Sequence, residues 1–407
     1  MLSDDTLEKL IEPFIRRQEN LNNYVISIIA KQIMEIGKLT PSEIYKLERL
    51  LQGGADVRKI NEEIARVTNL QVIEVKALIK EVALNNYLDA KPFYDYRHKP
   101  FIPFKKNIEL QNVVESISRQ TECTFKNMSR STAFMLRDRT NPQRFIPTNL
   151  SQTYQKVVDE AVQYVQQGVV DFNSAMRRTM IDLNDSGLRY VNYDTPTGRV
   201  YSQRLDTAVR RNLLGGVKAI NQGVQDIIGE QIGADGKEIS VHNNSAPDHE
   251  PIQGRQFTNE EYDKLQNSEP FKSYENKWQK SIDFEPIDRA IGEYNCRHYT
   301  FSIILDVERP NYTDKQLKEI IDNNNKGYTL PNGKHLTMYQ CTQMQRKYET
   351  NIRHTKDGYI MAKNMNDSEL QDYFSAKVSE YTKQYKQFSK DCGLSIKNNR
   401  IYVQNYK

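Results

Sequence analysis

No run of residues in this chain is apolar for long enough to span a bilayer, so a membrane-crossing helix is not expected. Glycine-rich phosphate loops of the Walker or dinucleotide type are missing, which argues against the common nucleotide-binding folds. Cysteine is scarce. The four, at 123, 296, 341 and 392, show no disulfide spacing, and a reducing compartment fits them best. No excess of one charge stands out either: 57 Lys and Arg against 53 Asp and Glu leave +4. That weak basic bias permits contact with nucleic acid or an acidic partner without arguing for it. The N-terminus, Met1-Leu2-Ser3-Asp4-Asp5, lacks a basic-then-apolar signal pattern, so residence in the cytoplasm of the producing cell is expected.

What is present is length and polarity. A chain of 407 residues exceeds one ordinary core, and two or three domains are expected. An apolar fraction of 38% with 27% charged residues suits a soluble, largely helical protein with much exposed surface. The 24 tyrosines are many, and Tyr is favoured at interfaces because it buries area while keeping a polar tip.

Residues 4–90 read as helices, with Leu7, Leu10, Ile11 and Phe14 at helical spacing. Thr40-Pro41-Ser42-Glu43 is a helix start and Gly53-Gly54 a stop. Asp56 then caps a helix with Val57, Ile60, Ile64 and Val67 on one face, followed by Val72, Val75, Ile79 and Val82. Residues 91–104 hold three prolines and five aromatics and read as an extended connector that must dock its rings. Helices are expected at 107–135, 150–167 and 172–185, a β-hairpin at 188–202, and a long amphipathic helix from Leu205 to Gly233. Beyond 237 the pattern mixes: strands at 238–242 and 298–307, helices opened by Thr258 and Thr313, a turn at Pro331-Asn332-Gly333, a charged helical pair at 336–395 and an edge strand at 401–403.

The expected fold class is therefore mainly α with a small α+β domain. We divide the chain into an N-terminal helical region with its Pro/aromatic connector (1–105), a helical domain with an inserted β-hairpin (106–235), an α+β His/Cys module (236–330) and a C-terminal helical hairpin (331–407).

The sharpest chemical signal is in that module. Ile239 to Gly254 and Gly292 to His298 contain three of the six histidines and one of the four cysteines. If 295–299 enters a strand, Cys296 and His298 project to one face, because side chains two apart do. His242 and His249 flank a loop closed by Pro247. Together His242, His249, Cys296 and His298 make a candidate tetrahedral zinc set, although the spacing matches no strong zinc pattern. A second reading is a polar network that staples the module: Asp248 orients a histidine, Asn295 and Arg297 bond the crossing backbone, and Cys296 is simply buried. A third is a metal-dependent nuclease or hydrolase built on Asp248, His249, Asn295 and His298, or a Cys296–His298 nucleophile pair. No oxyanion-hole glycine motif or third orienting group accompanies that pair.

Elsewhere, Arg346, Glu349 and Arg353 share a helix face. It is either a solvated ion-paired face or a surface for a partner subunit. The doublets Arg177-Arg178 and Arg210-Arg211 could touch phosphates, though acidic residues are interspersed.

Four blocks carry a family resemblance. They are Ser118-Arg119-Gln120-Thr121 with Phe125-Lys126-Asn127-Met128; Leu188 to Arg211; Ile239-Ser240-Val241-His242 through Pro247-Asp248-His249 to Gln253-Gly254-Arg255, with Asn295-Cys296-Arg297-His298; and Tyr339, Gln343, Gln345-Arg346, Glu349, Ile352-Arg353. The chain resembles the tailed-phage minor capsid protein 2 family, related to the head morphogenesis protein F of phage Mu. One departure is Ala246, where that family usually has Arg before the Pro-Asp-His step. The resemblance implies a non-enzymatic virion component, made in the bacterial host cytoplasm. Its implied partners are the portal protein, the major capsid protein or packaged DNA. Its structural motif would be His242, Asp248, His249, Gln253, Gly254, Asn295, Cys296, Arg297 and His298.

Overall fold

In the computed structural model, the described residues are 4–40, 43, 55–138, 140, 141, 144–167, 172–192, 201–292, 296 and 298–406. The chain begins with α1 (Asp4–Ile36), which turns Ile11, Phe14, Leu21, Val25, Ile29 and Ile33 inward at helical spacing. Thr40 and Glu43 make part of the expected start signal, the Thr40 N–H donating to Glu43 Oε2 at 2.8 Å. Pro41, Ser42 and the Gly53-Gly54 stop lie outside the described residues. α2 (Ala55–Asp89) buries Ile60, Ile64, Val67, Val75, Ile79 and Val82, the face its periodicity predicts.

The connector differs from its expected extended form. Pro92 sits in the first turn of a short helix, α3 (Lys91–Tyr96), where its missing N–H costs nothing. A 3-10 turn follows at Phe104–Lys106. Its rings do dock: Phe101 stacks on Tyr87 at 4.8 Å and meets Tyr94 edge-on at 5.1 Å. α4 (Ile108–Arg130) is capped by Asn107, whose side chain accepts the Leu110 N–H. It stops short of the expected 135, because 132–137 is strand β1 (Thr132–Arg137). Thr132-Ala133-Phe134-Met135-Leu136 is an apolar run that fits either structure, and pairing decides it. β1 is antiparallel to β2 (Phe145–Asn149) and to β3 (Arg189–Asn192), and β3 pairs with β4 (Tyr201–Arg204). The predicted hairpin is thus half of a four-stranded sheet, and its turn lies outside the described residues.

α5 (Leu150–Gln166) and α6 (Phe172–Ser186) pack beside this sheet. α7 (Leu205–Ile232) is the central helix, and it ends where Gly233 takes φ 75°, a left-handed cap that suits glycine. One apolar cluster runs from Ile11 to Ile232 and continues to Met361, Met365, Leu370 and Phe374. The 1–105 and 106–235 segments therefore share a core with the near end of the C-terminal hairpin.

The mixed module is a three-stranded antiparallel sheet, β6-β5-β9. β5 (Gly236–Ile239) is central, between β6 (Gln256–Thr258) and β9 (Thr300–Ile303). The strand expected at 238–242 is the central one and begins earlier, at Gly236, the one expected at 298–307 pairs only over 300–303, and β6 was not expected. Thr258–Glu261 reads as a capping box, of which only half forms: Thr258 caps α8 (Asn259–Gln266) by accepting the Glu261 N–H, while the Glu261 carboxylate accepts from the Lys272 N–H at 2.8 Å. A two-residue pair, β7 (Phe271–Lys272) and β8 (Asp283–Phe284), covers a separate core of Ile239, Ile252, Phe257, Leu265, Phe271 and Cys296. The module is bolted to α7 by Thr300 and Ser302, which donate to Gln222 Oε1 at 2.7 Å and to the Gln225 carbonyl at 2.8 Å.

α9 (Asp314–Lys326) opens with a complete Thr313/Gln316 capping box. Pro331-Asn332-Gly333 turns between β10 (Tyr328–Thr329) and β11 (His335–Leu336). α10 (Met338–Asn364) and α11 (Ser368–Asp391) form the predicted hairpin. The tail is not the expected edge strand. Residues Asn398–Ile401 form a 3-10 turn whose Ile401 packs on Ile352 and Tyr385, and the Lys397 N–H donates to the Tyr385 hydroxyl at 2.8 Å.

Candidate functional site

The loop between β5 and β6 folds back on the segment that leads into β9. Ser240 and Tyr299 clasp the two: Ser240 N–H donates to the Tyr299 carbonyl at 2.9 Å, and Tyr299 N–H donates to Ser240 Oγ at 3.1 Å. Gly254 closes the loop at φ +69°, its N–H on the Ile239 carbonyl. Gln253, almost fully buried, is the pivot. Its Oε1 accepts the His242 N–H at 3.0 Å and faces His298 Nε2 at 3.3 Å.

Inside this clasp lie His249, Cys296 and His298, exposed by only 1%, 4% and 3%. Their ligand atoms all fall within 4.8 Å of one another. Cys296 Sγ is 3.7 Å from His298 Nδ1 and accepts the His298 N–H at 3.3 Å. His249 Nε2 lies 2.8 Å from the Arg289 carbonyl. A neutral imidazole nitrogen facing a carbonyl oxygen must carry the proton, so each ring in its neutral form is the Nε2–H tautomer with a lone pair on Nδ1.

His242 stands apart from the four-ligand set expected for it. Its Nε2 pairs with Ser240 Oγ at 3.1 Å, and its ring meets His298 edge-on at 5.0 Å. Asn295 and Arg297 lie outside the described residues. Asp248 meets His249 directly, its Oδ2 lying 3.7 Å from His249 Nε2, and is also tied to it through Arg289, a partner the sequence did not reveal. Both its oxygens are held by Arg289, at 2.7 and 2.9 Å, and the Arg289 carbonyl faces His249.

The electrostatics follow from burial and neighbours. Burial alone would raise the Cys296 thiol, but the His249 hydrogen bond, the Lys218 charge and a Gly292 backbone bond bring it below its ordinary value. Burial would depress His249, yet Cys296 and the Arg289 carbonyl lift it above the usual histidine value. His298 is driven down to about 2 by burial and by the positive potential of its neighbours, so it stays neutral. Burial also works against the Asp248 carboxylate, but Arg289 holds it below its usual range.

The face expected at Arg346, Glu349 and Arg353 divides. Arg346 is half-exposed. Glu349 is 3% exposed, its carboxylate facing Arg400 at 3.5 Å and Tyr385 Oη at 3.3 Å. Arg353 points inward to Glu19 at 2.9 Å and Asp206 at 3.6 Å, and Arg204 bridges Asp206 and Asp357 at 3.5 and 3.1 Å. This buried ion network was not legible in the sequence. In the basic doublets, Arg177 forms ion pairs with Asp367 and Glu369, and Arg211 donates to Tyr201 and Gln203.

A profile of the phage minor capsid protein 2 family matches residues 2–390, nearly the whole chain. The protein belongs to that family. Membership implies a virion location among phage head proteins and a structural role. No curated protein and no solved structure matches the chain. Among the described residues, no helix is long and apolar enough to cross a membrane.

Proposed function

We propose that the protein is a head morphogenesis component of a tailed phage that docks at the portal vertex or the inner capsid face during head assembly. Its partners are the portal protein, the major capsid protein or both. The observation that carries this reading is the family match across residues 2–390. The site supports a scaffold-like role: His249, Cys296 and His298 are sealed from solvent, and an open cleft is what a hydrolase on Asp248 and His249 would need. Packaged DNA ranks behind protein partners, because the Arg177 guanidinium is engaged within the chain. The portal would impose its own rotational symmetry on the docked chains. Sedimentation with purified portal rings tests the reading. Co-sedimentation at low and moderate salt is expected, and failure at both would overturn portal docking.

A further inference from the structure

The three sealed side chains of the mixed module have a donor chemistry that the capsid role does not use. We propose that His249, Cys296 and His298 bind one divalent transition-metal ion of the zinc class, through the two Nδ1 atoms and the cysteine sulfur. Imidazole nitrogen with thiolate sulfur is the donor set of zinc and its near neighbours, not of magnesium or calcium.

Geometry supports it. Tetrahedral zinc with ordinary bond lengths holds nitrogen and sulfur donors about 3.6 Å apart. Cys296 Sγ and His298 Nδ1 are already 3.7 Å apart, and the whole set lies within 4.8 Å. Contraction of the widest pair by about 1 Å completes the three-donor face.

The surroundings support it too. Metal-bound histidines usually donate their second ring N–H to a carbonyl or carboxylate, which fixes the ring and its tautomer. Here both rings do so, His249 to the Arg289 carbonyl and His298 to Gln253 Oε1. Arg289 is in turn fixed by Asp248, and Gln253 by the His242 N–H. Among the described residues no fourth His, Cys, Asp or Glu joins the group, so these three side chains are the protein donors of the proposed site. Binding would displace the thiol proton to solvent and tie the β5–β6 loop to the segment leading into β9. This inference stands independently of the capsid reading.

The test uses the purified full-length chain. After exposure to micromolar zinc and desalting, elemental analysis is expected to find about one zinc per chain, with loss of that metal in Cys296→Ser and His298→Ala. Cys123→Ser, which removes an exposed thiol, should retain it. Loading with Co2+ should give a thiolate-to-metal charge-transfer band and intense tetrahedral d–d bands in the wild type, a readout that needs no variant to fold. Zinc far below one per chain, or a cobalt spectrum without thiolate charge transfer, would overturn the proposal.

Discussion

The Arg353 guanidinium lies 2.9 Å from the Glu19 carboxylate, joining α10 to α1 from opposite ends of the chain. Asp206, Arg204 and Asp357 extend the contact to the start of α7. Glu19, Asp206 and Asp357 meet Arg204 and Arg353 in a region with little access to water, and Lys356 lies close enough to feel the Glu19 charge. Removing a cation from such a site leaves a buried charge uncompensated.

Arg353→Met is therefore expected to destabilise the fold by about 3–5 kcal/mol in denaturant unfolding. Arg346→Ala, about two turns away and partly exposed, should change stability by less than about 0.5 kcal/mol. Equal effects of the two would mean that Arg353 is not part of an internal network.

Burial of these carboxylates also sets a pH dependence. Burial raises Glu19 to about 8, outweighing the attraction of Arg353. Its ordinary value is 4.5, so between the two values the folded chain holds a proton that the unfolded chain has released. Stability then falls as pH rises through that window, by up to about 1.4 kcal/mol per pH unit for one proton. Burial raises Glu349 and Asp357 as well, which adds to the same trend. Glu19→Gln should flatten the fall between pH 5 and 8, as read from unfolding midpoints. A variant with the wild-type slope would remove Glu19 from this role.

Gly358 of α10 lies against Phe374 of α11. A Cβ there would clash with the Phe374 ring, 2.6 Å from Cζ. Gly358→Ala should cost about 1–3 kcal/mol through overpacking, and Phe374→Leu in the same chain should recover part of it. A neutral or stabilising Gly358→Ala would contradict this packing.

Arg289 grips both oxygens of Asp248, and its carbonyl faces His249. Lysine cannot reproduce that fork. Arg289→Lys should speed amide hydrogen exchange in residues 246–254 while leaving α10 and α11 unchanged. No change in the loop would show that Asp248 does not depend on Arg289.

The parts of this fold legible in sequence are those where local periodicity and capping agree with packing. α7, with Leu205, Val209, Leu213, Val217, Ile220 and Val224 on one face and Gly233 after its end, is the clearest. The C-terminal hairpin is similar, although the Thr337 capping box that opens it was missed. Strand β1 was not legible, because Phe134, Met135 and Leu136 continue an apolar run and only distant partners at 145–149 and 189–190 make it a strand. The tail failed for the converse reason: Ile401 and Val403 look strand-like, but Ile401 packs against Ile352 and Tyr385 of the helical pair and Val403 is buried. At the site, residue type and spacing pointed to His249, Cys296 and His298, since cysteine and histidine are rare here. Arg289 and the network of Glu19, Arg204, Asp206 and Asp357 left no local mark, being ordinary charged residues brought together only by tertiary structure.

Quantitative mass spectrometry of purified phage particles tests the central claim most directly. A head component should be present in procapsids and mature heads at a fixed ratio to the portal protein. Particles that lack this chain, purified from cells that contain it, would contradict its assignment as a built-in part of the head.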